Sequence, residues 1–334
     1  TLPYTQRTLN SLLKFRYTAE VRQGKLLWAT GTLPTNSLTE LYTAQRFLQP
    51  ETLEAKGLLS FDAWVGQFGK ITTELEMTAV GKQKQKTRLY QFKNLQELLD
   101  LCHQFTDFVK AKEVLASALP QTNYYTIVSP PAPCQTRINR HLAAIDEKLQ
   151  HKQEPTYINR DGKETAYNFL SLTHLGATTA IDPRNLLPTA KNHPYLKLNQ
   201  VALNAFQIWK ASQICLGAQI LFCDQGIPHS TQQFSNYLYL QQTLIQLGIP
   251  PSEIAIIHHW QDSQLPKLYQ FINEGIIRIL IGSTEKCGTG VNIQKRLVAI
   301  SEIDLRWAPY KKQQRIGRIR RQGNQMGSVY VFQY

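Results

Sequence analysis

The stretch from Ile279 to Gly323 constrains the fold of this 334-residue chain more than any other. Its apolar, β-branched start at residues 276–277 and 279–281 has the length of a buried strand. A loop rich in hydroxyls and glycines follows, and glycine allows the backbone to approach a ligand closely. A second apolar segment, Leu297 to Ile303, then ends at Asp304. Two strands joined in this way predict a ligand site at the strand ends.

A basic helix is predicted directly after this second strand. From Leu305 to the end of the sequence there are seven Lys or Arg residues and no Asp or Glu. On a helix, Gln314, Arg318 and Arg321 fall at i, i+4 and i+7, so one face presents an amide and two guanidiniums. Guanidiniums donate planar, bidentate bonds to phosphate oxygens, which suits a polyphosphate ligand. The alternative is a solvated surface or a nucleic-acid patch, which is the more common role of an arginine cluster alone.

Helices and strands alternate from about residue 195 onward. Helices are predicted over residues 197–213, 236–247 and 264–273, with strands over 219–223 and 254–257 between them. This alternation predicts an α/β fold with a parallel sheet and crossover helices. Asp224, the loop from Ser283 to Gly290, and Asp304 then follow strands, at the sheet edge where ligands bind.

The composition adds information on partners and compartment. The formal net charge is +13, which favours binding to a phosphate backbone because neutralised phosphates release counterions. The five cysteines are odd in number and lack C-x-x-C spacing, so we expect no metal site and a reducing, cytoplasmic location. No apolar run approaches the roughly 20 residues of a membrane span.

Taken in order, these motifs resemble motifs V and VI of superfamily 2 helicases and translocases, most closely those of the Swi/Snf-type branch. The shared features are the hydroxyl–glycine loop, the strand ending in Asp, W-x-P, and Q-x-x-x-R-x-x-R. The resemblance implies catalytic roles for Gln314, Arg318 and Arg321, the two arginines acting as arginine fingers. It implies nucleotide binding by four residues, which are Gly288, Gly290, Asn292 and Asp304.

Other positions resemble the elements that link the nucleotide site to nucleic acid. After a strand predicted at Lys25 to Trp28, the residues Thr30, Gly31 and Thr32 resemble motif III. In the loop of motif V, the resemblance implies contacts to a phosphate backbone or to an inter-lobe coupling loop. The residues concerned are Ser283, Thr284 and Lys286.

A longer pattern resembles the large helicase proteins of phages, plasmids and conjugative elements, which are often fused to an adenine-specific DNA methyltransferase and related to anti-restriction proteins. It includes N-S-x-x-E-L-Y at 36–42, G-I-P-x-x-E-I-A at 248–255 and R-x-G-R-I-x-R-Q-G-N at 315–324. A linked DNA methyltransferase is therefore a further partner that the resemblance implies.

The resemblance also divides the chain. Residues 1–50 are expected to be a remnant of a first RecA-like lobe, 51–190 a mainly helical insert and linker, and 191–334 a second RecA-like lobe. A motor of this class needs a phosphate-binding loop and an acidic box for magnesium. The 334 residues contain neither G-x-x-x-x-G-K-[ST] nor a DEAH-type box.

We therefore expect the C-terminal portion of an ATP-dependent DNA helicase or translocase that cannot hydrolyse ATP alone. ATP and Mg²⁺ would serve the intact motor and would not bind this chain by itself. The first lobe would be supplied by a separate polypeptide or by a missing N-terminal region. The alternatives are a non-catalytic nucleic-acid-binding module and the remnant of a disrupted helicase gene.

Overall fold

The computed structural model describes residues 6–29, 39–77, 83–109, 119–158, 162–228, 234–288, 291–304 and 309–334. The chain forms two compact units. The first contains residues 1–76 and 85–110, and the second contains residues 77–84 and 111–334.

The first unit consists of short helices and a two-stranded sheet. Its helices are α1 (Gln6–Arg16), which continues into a π-helical turn at Tyr17–Val21, α2 (Glu40–Leu48), α3 (Pro50–Ala55), α4 (Phe61–Phe68) and α5 (Leu95–His103). The sheet pairs β1 (Gly69–Met77) with β2 (Gln83–Phe92).

The core of the first unit is built around Trp64, whose side chain is fully buried on α4. Its indole Nε1 donates a hydrogen bond to Gln45 Oε1 at 2.7 Å, so the polar edge of the ring is satisfied inside the core. The rings of Tyr42, Phe68 and Phe92 surround it at centroid distances of 5.6, 5.6 and 6.2 Å. This aromatic cluster joins α2, α4 and β2.

The prediction of a strand at Lys25 to Trp28 is wrong, because residues 23–29 have irregular backbone. Leu27 is 94% exposed, so the segment does not bury an apolar face. A strand is stabilised by hydrogen bonds to a neighbour, and the described part of the chain gives this segment no neighbouring strand.

The second unit is built on a parallel sheet. Its helices are α6 (Pro133–Gln150), α7 (Phe169–Ile181), α8 (Lys197–Ala211), α9 (Asn236–Gln246), α10 (Leu265–Glu274), α11 (Thr284–Gly288) and α12 (Pro309–Ile319). Its strands are β3 (Gln121–Thr126), β4 (Thr156–Ile158), β5 (Glu164–Ala166), β6 (Ala218–Phe222), β7 (Ile254–Ile256), β8 (Ile279–Gly282), β9 (Leu297–Glu302) and β10 (Ser328–Gln333).

Six strands form one sheet in the order β3-β10-β9-β6-β8-β7, and every neighbouring pair is parallel. The hairpin of β4 and β5 is separate and antiparallel. The large sheet confirms the α/β class expected from the sequence, a parallel sheet flanked by helices as in a RecA-like lobe.

Both faces of the sheet are buried at β6, β7, β8 and β9, which explains the continuous apolar strands. Side chains alternate between two cores, so that Ile279 and Ile281 of β8 pack with α8 and α9. Leu280 lies on the opposite face and packs with α10 and α12. A parallel sheet covered on both faces needs such runs because neither face meets water.

Strand β3 belongs to this sheet although it lies within the range 51–190 expected to form an insert and linker. It pairs with β10 over six residues, from Gln121 opposite Ser328 to Thr126 opposite Gln333. The partners are about 200 positions apart in the chain. One edge strand of the sheet is therefore supplied by a segment that precedes α6 and α7 in the chain.

Candidate functional site

Three strand ends meet at the carboxyl edge of the large sheet. Asp224 lies two residues after β6, Thr284 two residues after β8, and Asp304 two residues after β9. Because these strands are parallel neighbours, their following residues come together. The backbone N–H of Asp224 donates to Asp304 Oδ2 at 2.5 Å, which ties two of the strand ends directly.

Arg315 of α12 connects all three strand ends. Its Nη2 donates to Asp224 Oδ2 at 2.6 Å and to Asp304 Oδ1 at 2.7 Å, and its Nε donates to Thr284 Oγ1 at 2.8 Å. Its Nη1 donates to the Asp304 carbonyl at 3.0 Å. The side chain is only 1% exposed, and its guanidinium carbon lies 5.0 Å from the centroid of the Phe222 ring. We call Arg315, Asp224, Thr284 and Asp304 the strand-end cluster.

The charges of the strand-end cluster are mutually compensated. Burial alone would lower the pKa of Arg315, but the carboxylates of Asp304, Asp224 and Glu302 outweigh it and raise the pKa. The guanidinium is therefore held charged in a buried position. Removing the guanidinium or a carboxylate would leave the opposite charge buried without its partner. The cluster therefore fixes α12 against the sheet.

The segment predicted to be a loop after β8 instead begins with the short helix α11, from Thr284 to Gly288. The residues expected from it divide between the strand-end cluster and the surface. Thr284 is 5% exposed, and its N–H and hydroxyl both donate to Asp224, at 2.6 Å each. Ser283 is 4% exposed, and its Oγ accepts from the Lys286 N–H at 3.3 Å. The Lys286 Nζ instead lies 2.8 Å from Asp262 Oδ1 on the surface.

The two arginines expected to be catalytic converge on one atom. Arg318 Nη1 donates to the Val291 carbonyl at 3.3 Å, and Arg321 Nη1 donates to the same oxygen at 3.1 Å. Burial lowers the pKa of Arg318, and the nearby charge of Arg321 adds to that effect. Because both guanidiniums contact one oxygen, their charges lie close together.

The remaining predicted residues are placed as follows. Gln314 lies on α12, half-buried, one residue before Arg315. Arg321 lies two residues beyond the end of α12, so the prediction that it shares a helical face with Gln314 and Arg318 is wrong. Gly288 ends α11, and Asn292 is exposed, with its carbonyl accepting from Asn273 Nδ2 at 2.7 Å. Asp304 belongs to the strand-end cluster, and its expected contact to a nucleotide stays a prediction. Four residues lie outside the described ranges, namely Thr30, Gly31, Thr32 and Gly290.

The role of Arg315 was not predicted from the sequence, although a signal for it exists. Arg315 lies four residues before Ile319, which is fully buried, so both fall on the core-facing side of α12. Asp224 and Asp304 each follow a buried strand and are 5% and 7% exposed, so each needs a buried donor. A basic residue on the buried side of the next helix is the natural candidate.

Comparison with protein families gives one match in the first part of the chain. Residues 3–110 match a family model described as "Probable helicase domain". This range covers about a third of the chain and ends where the first compact unit ends. The first part of the chain is thus similar to a helicase domain.

Solved structures with similar folds come from helicases and related ATPases. The SWI2/SNF2 ATPase core domain of Sulfolobus solfataricus is 15% identical, with a TM-score of 0.42, over 89% of this chain and 53% of that one. The C-terminal part of the Fun30 ATPase domain is 13% identical, with a TM-score of 0.40, over 64% of this chain and 85% of that one. The DUF1998 helicase MrfA bound to DNA is 13% identical, with a TM-score of 0.30, over 40% and 18%.

This chain therefore spans about half the length of the Sulfolobus ATPase core. Because all three TM-scores are low, the fold class rests on the parallel sheet and its strand order rather than on these likenesses. No curated protein matches the chain.

None of the helices within the described ranges is long and apolar enough to cross a membrane. In the same ranges, no group of three or more His, Cys, Asp or Glu side chains could hold a metal ion. The five cysteines are free thiols.

Proposed function

We propose that this chain is the C-terminal portion of an ATP-dependent DNA helicase or translocase, in which Arg318 and Arg321 stabilise negative charge on the transferred phosphate of ATP. The observation that carries the proposal is the convergence of both guanidiniums on the Val291 carbonyl. Two partly desolvated cations this close together favour an anion between them.

The donor set at this edge fits the phosphates of a nucleotide. Arg318 and Arg321 would contact phosphate oxygens, and Gln314 on the same helix would orient the attacking water or the sugar–phosphate portion. Bound ATP supplies the phosphoryl group that is transferred to water. Arg315 holds α12 on the strand ends, so it positions the two arginines without contacting the nucleotide itself.

We further propose that the chain cannot hydrolyse ATP alone. Its 334 residues contain no phosphate-binding loop of the G-x-x-x-x-G-K-[ST] type and no acidic box to hold Mg²⁺. Arginines act on charge that develops at a phosphate held elsewhere, so they need a second lobe that binds ATP and Mg²⁺. A separate first-lobe polypeptide or a longer form of this protein would provide it.

We propose DNA as the polymer along which the motor moves, with Lys286 and the hydroxyls of Ser283 and Thr284 near its phosphate backbone. Two of these three side chains are buried, so Lys286 is the side chain that reaches solvent, where Asp262 pairs with it. The net charge of +13 supports a polyanionic partner. A DNA methyltransferase acting with this motor is a further proposed partner, supported by the longer sequence resemblance alone.

The test is ATP hydrolysis in the presence of duplex DNA, by this chain alone and by this chain mixed with the polypeptide encoded immediately upstream. Hydrolysis in the mixture only would support a split motor. No hydrolysis in either, together with salt-sensitive DNA binding, would instead favour a non-catalytic nucleic-acid-binding module. Hydrolysis by the chain alone would contradict the proposal, because a phosphate-binding loop of another type would then exist.

A further inference from the structure

An aromatic patch lies on β3 and β10, the two strands at one edge of the large sheet. Tyr125 of β3 stacks on its register partner Phe332 of β10, with ring centroids 5.4 Å apart and planes 19° apart. Tyr330, two residues before Phe332, lies 6.3 Å from Tyr125 and 6.4 Å from Phe332. We call Tyr125, Tyr330 and Phe332 the aromatic patch.

The aromatic patch is open to solvent. Tyr125 is 50% exposed and Tyr330 is 36% exposed, which is unusual for aromatic rings on a sheet face whose neighbouring strands are fully covered. Helices α8 and α9 cover the same face over the central strands, where Leu221 and Ile281 are fully buried. The patch lies on the outer two strands, so its rings present open π-faces.

A cleft continues from the aromatic patch at the carboxyl ends of the same strands. Side chains alternate along a strand, so Ile127 and Tyr334 lie on the same face as Tyr125 and Phe332. Both line a cleft of about 350 Å³ that also contains Lys197, at the start of α8, and Asn139 of α6. The patch and the cleft therefore form one continuous surface.

The charge of the cleft is positive. Lys197 is the one charged side chain among the described residues that line it, and no carboxylate side chain is among them. Burial lowers the pKa of Lys197, an effect that the charge of Asp304 partly offsets. An ammonium that has lost part of its hydration gains more from an incoming anion than an exposed one does.

We propose that the aromatic patch and the Lys197 cleft bind a single-stranded nucleic acid, with bases stacked on Tyr125 and Tyr330 and a phosphate at Lys197. Aromatic rings beside a cationic groove are the combination that holds single strands, because every base has a π-face and every linkage carries a charge. The exposed amide of Asn139 offers hydrogen bonds to a base edge.

The surface uses none of the residues proposed to act on ATP, and its Lys197 is near enough to Asp304 for the two charges to interact. The proposal rests on the proposed function only in taking a nucleic acid as the polymer. In a motor of that kind, the surface would hold one strand after the duplex opens.

The experiment measures the fluorescence anisotropy of a labelled oligothymidylate of about 12 nucleotides, titrated with the full chain at several salt concentrations. Tyr125→Ala and Tyr330→Ala are each expected to weaken binding about 5- to 150-fold, the range for the loss of one stacked base. Tyr125→Phe keeps the ring and should bind within about twofold of the unsubstituted chain.

The matched control is Tyr124→Ala. Tyr124 is the adjacent residue of the same edge strand, is 55% exposed, and lies on the opposite face of the sheet. It should bind normally. Lys197→Gln should reduce the slope of log affinity against log salt by about 0.7, the value for one phosphate contact on a single strand.

Equal losses in Tyr124→Ala and Tyr125→Ala would overturn the proposal, and so would failure of the unsubstituted chain to bind the oligothymidylate. Circular dichroism of each variant shows whether a loss of binding reflects misfolding. If Tyr125→Ala misfolds, the test rests on Tyr330→Ala and on Tyr125→Phe, which keeps the ring and should retain binding. An oligouridylate arm separates DNA from RNA. Oligonucleotide binding without ATP hydrolysis in the complemented mixture would reject only the proposed function, and the reverse result would reject only this inference.

Discussion

The strand-end cluster predicts a large penalty for replacing Arg315 by methionine. The substitution keeps an unbranched side chain of similar length but removes four hydrogen bonds at 2.6 to 3.0 Å. It leaves the carboxylates of Asp224 and Asp304, 5% and 7% exposed, without their cation. Removing one partner of a buried ion pair costs about 3–5 kcal/mol.

The assay is thermal unfolding followed by circular dichroism. For a unit of this size, a loss of about 3–5 kcal/mol lowers the midpoint by roughly 6–20 °C. The control is Arg320→Met, since Arg320 is half-buried and takes no part in the cluster contacts described above. We expect it to change stability by no more than about 0.5 kcal/mol.

A second substitution tests the cause of the penalty. Asp304→Asn alone should destabilise the protein, because Arg315 loses an anionic partner. In the Arg315→Met background, the same substitution should restore part of the loss, because it removes an uncompensated buried charge. The reasoning is refuted if Arg315→Met costs less than about 1 kcal/mol, or if Asp304→Asn has the same sign in both backgrounds.

Two further predictions concern thiols and the first unit. Burial raises the pKa of Cys223 to about 12. A thiol reagent near neutral pH should therefore label the half-buried Cys134 and Cys215 and leave Cys223 unmodified until the protein unfolds. Mass spectrometry of native and urea-unfolded samples measures the labelling, and rapid labelling of Cys223 in the native protein would contradict the prediction. Trp64→Phe should lower the free energy of unfolding by about 1–3 kcal/mol, because Gln45 Oε1 loses its buried hydrogen-bond donor. Denaturant unfolding followed by tyrosine and tryptophan fluorescence measures this loss. A change of less than about 0.5 kcal/mol would contradict the prediction.

The sequence predicts the second unit well because its signals are local. The runs from Ile279 to Ile281 and from Leu297 to Ile300 are apolar on both alternating faces, which fits buried parallel strands. The basic segment after Trp307 forms α12 from Pro309 to Ile319, which carries Arg318. Arg321 lies beyond the helix end and reaches the same carbonyl as Arg318 from the bend that follows.

The features missed from the sequence depend on distant partners. Whether β3 joins the large sheet is decided by β10, about 200 residues later, which no local pattern shows. The expectation of a strand at Lys25 to Trp28 failed for the converse reason, since a suitable local pattern found no neighbour among the described residues. The cluster role of Arg315 required knowing which side of α12 faces the strand ends.

The account's central claim is that Arg318 and Arg321 act on the phosphate of ATP, and the most direct measurement is the kcat of ATP hydrolysis in the mixture that supplies a first lobe. Arg318→Ala and Arg321→Ala should each lower kcat by about a thousandfold or more, as expected for an arginine finger. Arg320→Ala, which removes the neighbouring arginine, should keep kcat within about threefold, because Arg320 takes no part in the contacts of Arg318 and Arg321 described above. Equal kcat in all three variants and the unsubstituted chain would contradict the claim, because the convergence of the two guanidiniums would then have no part in catalysis.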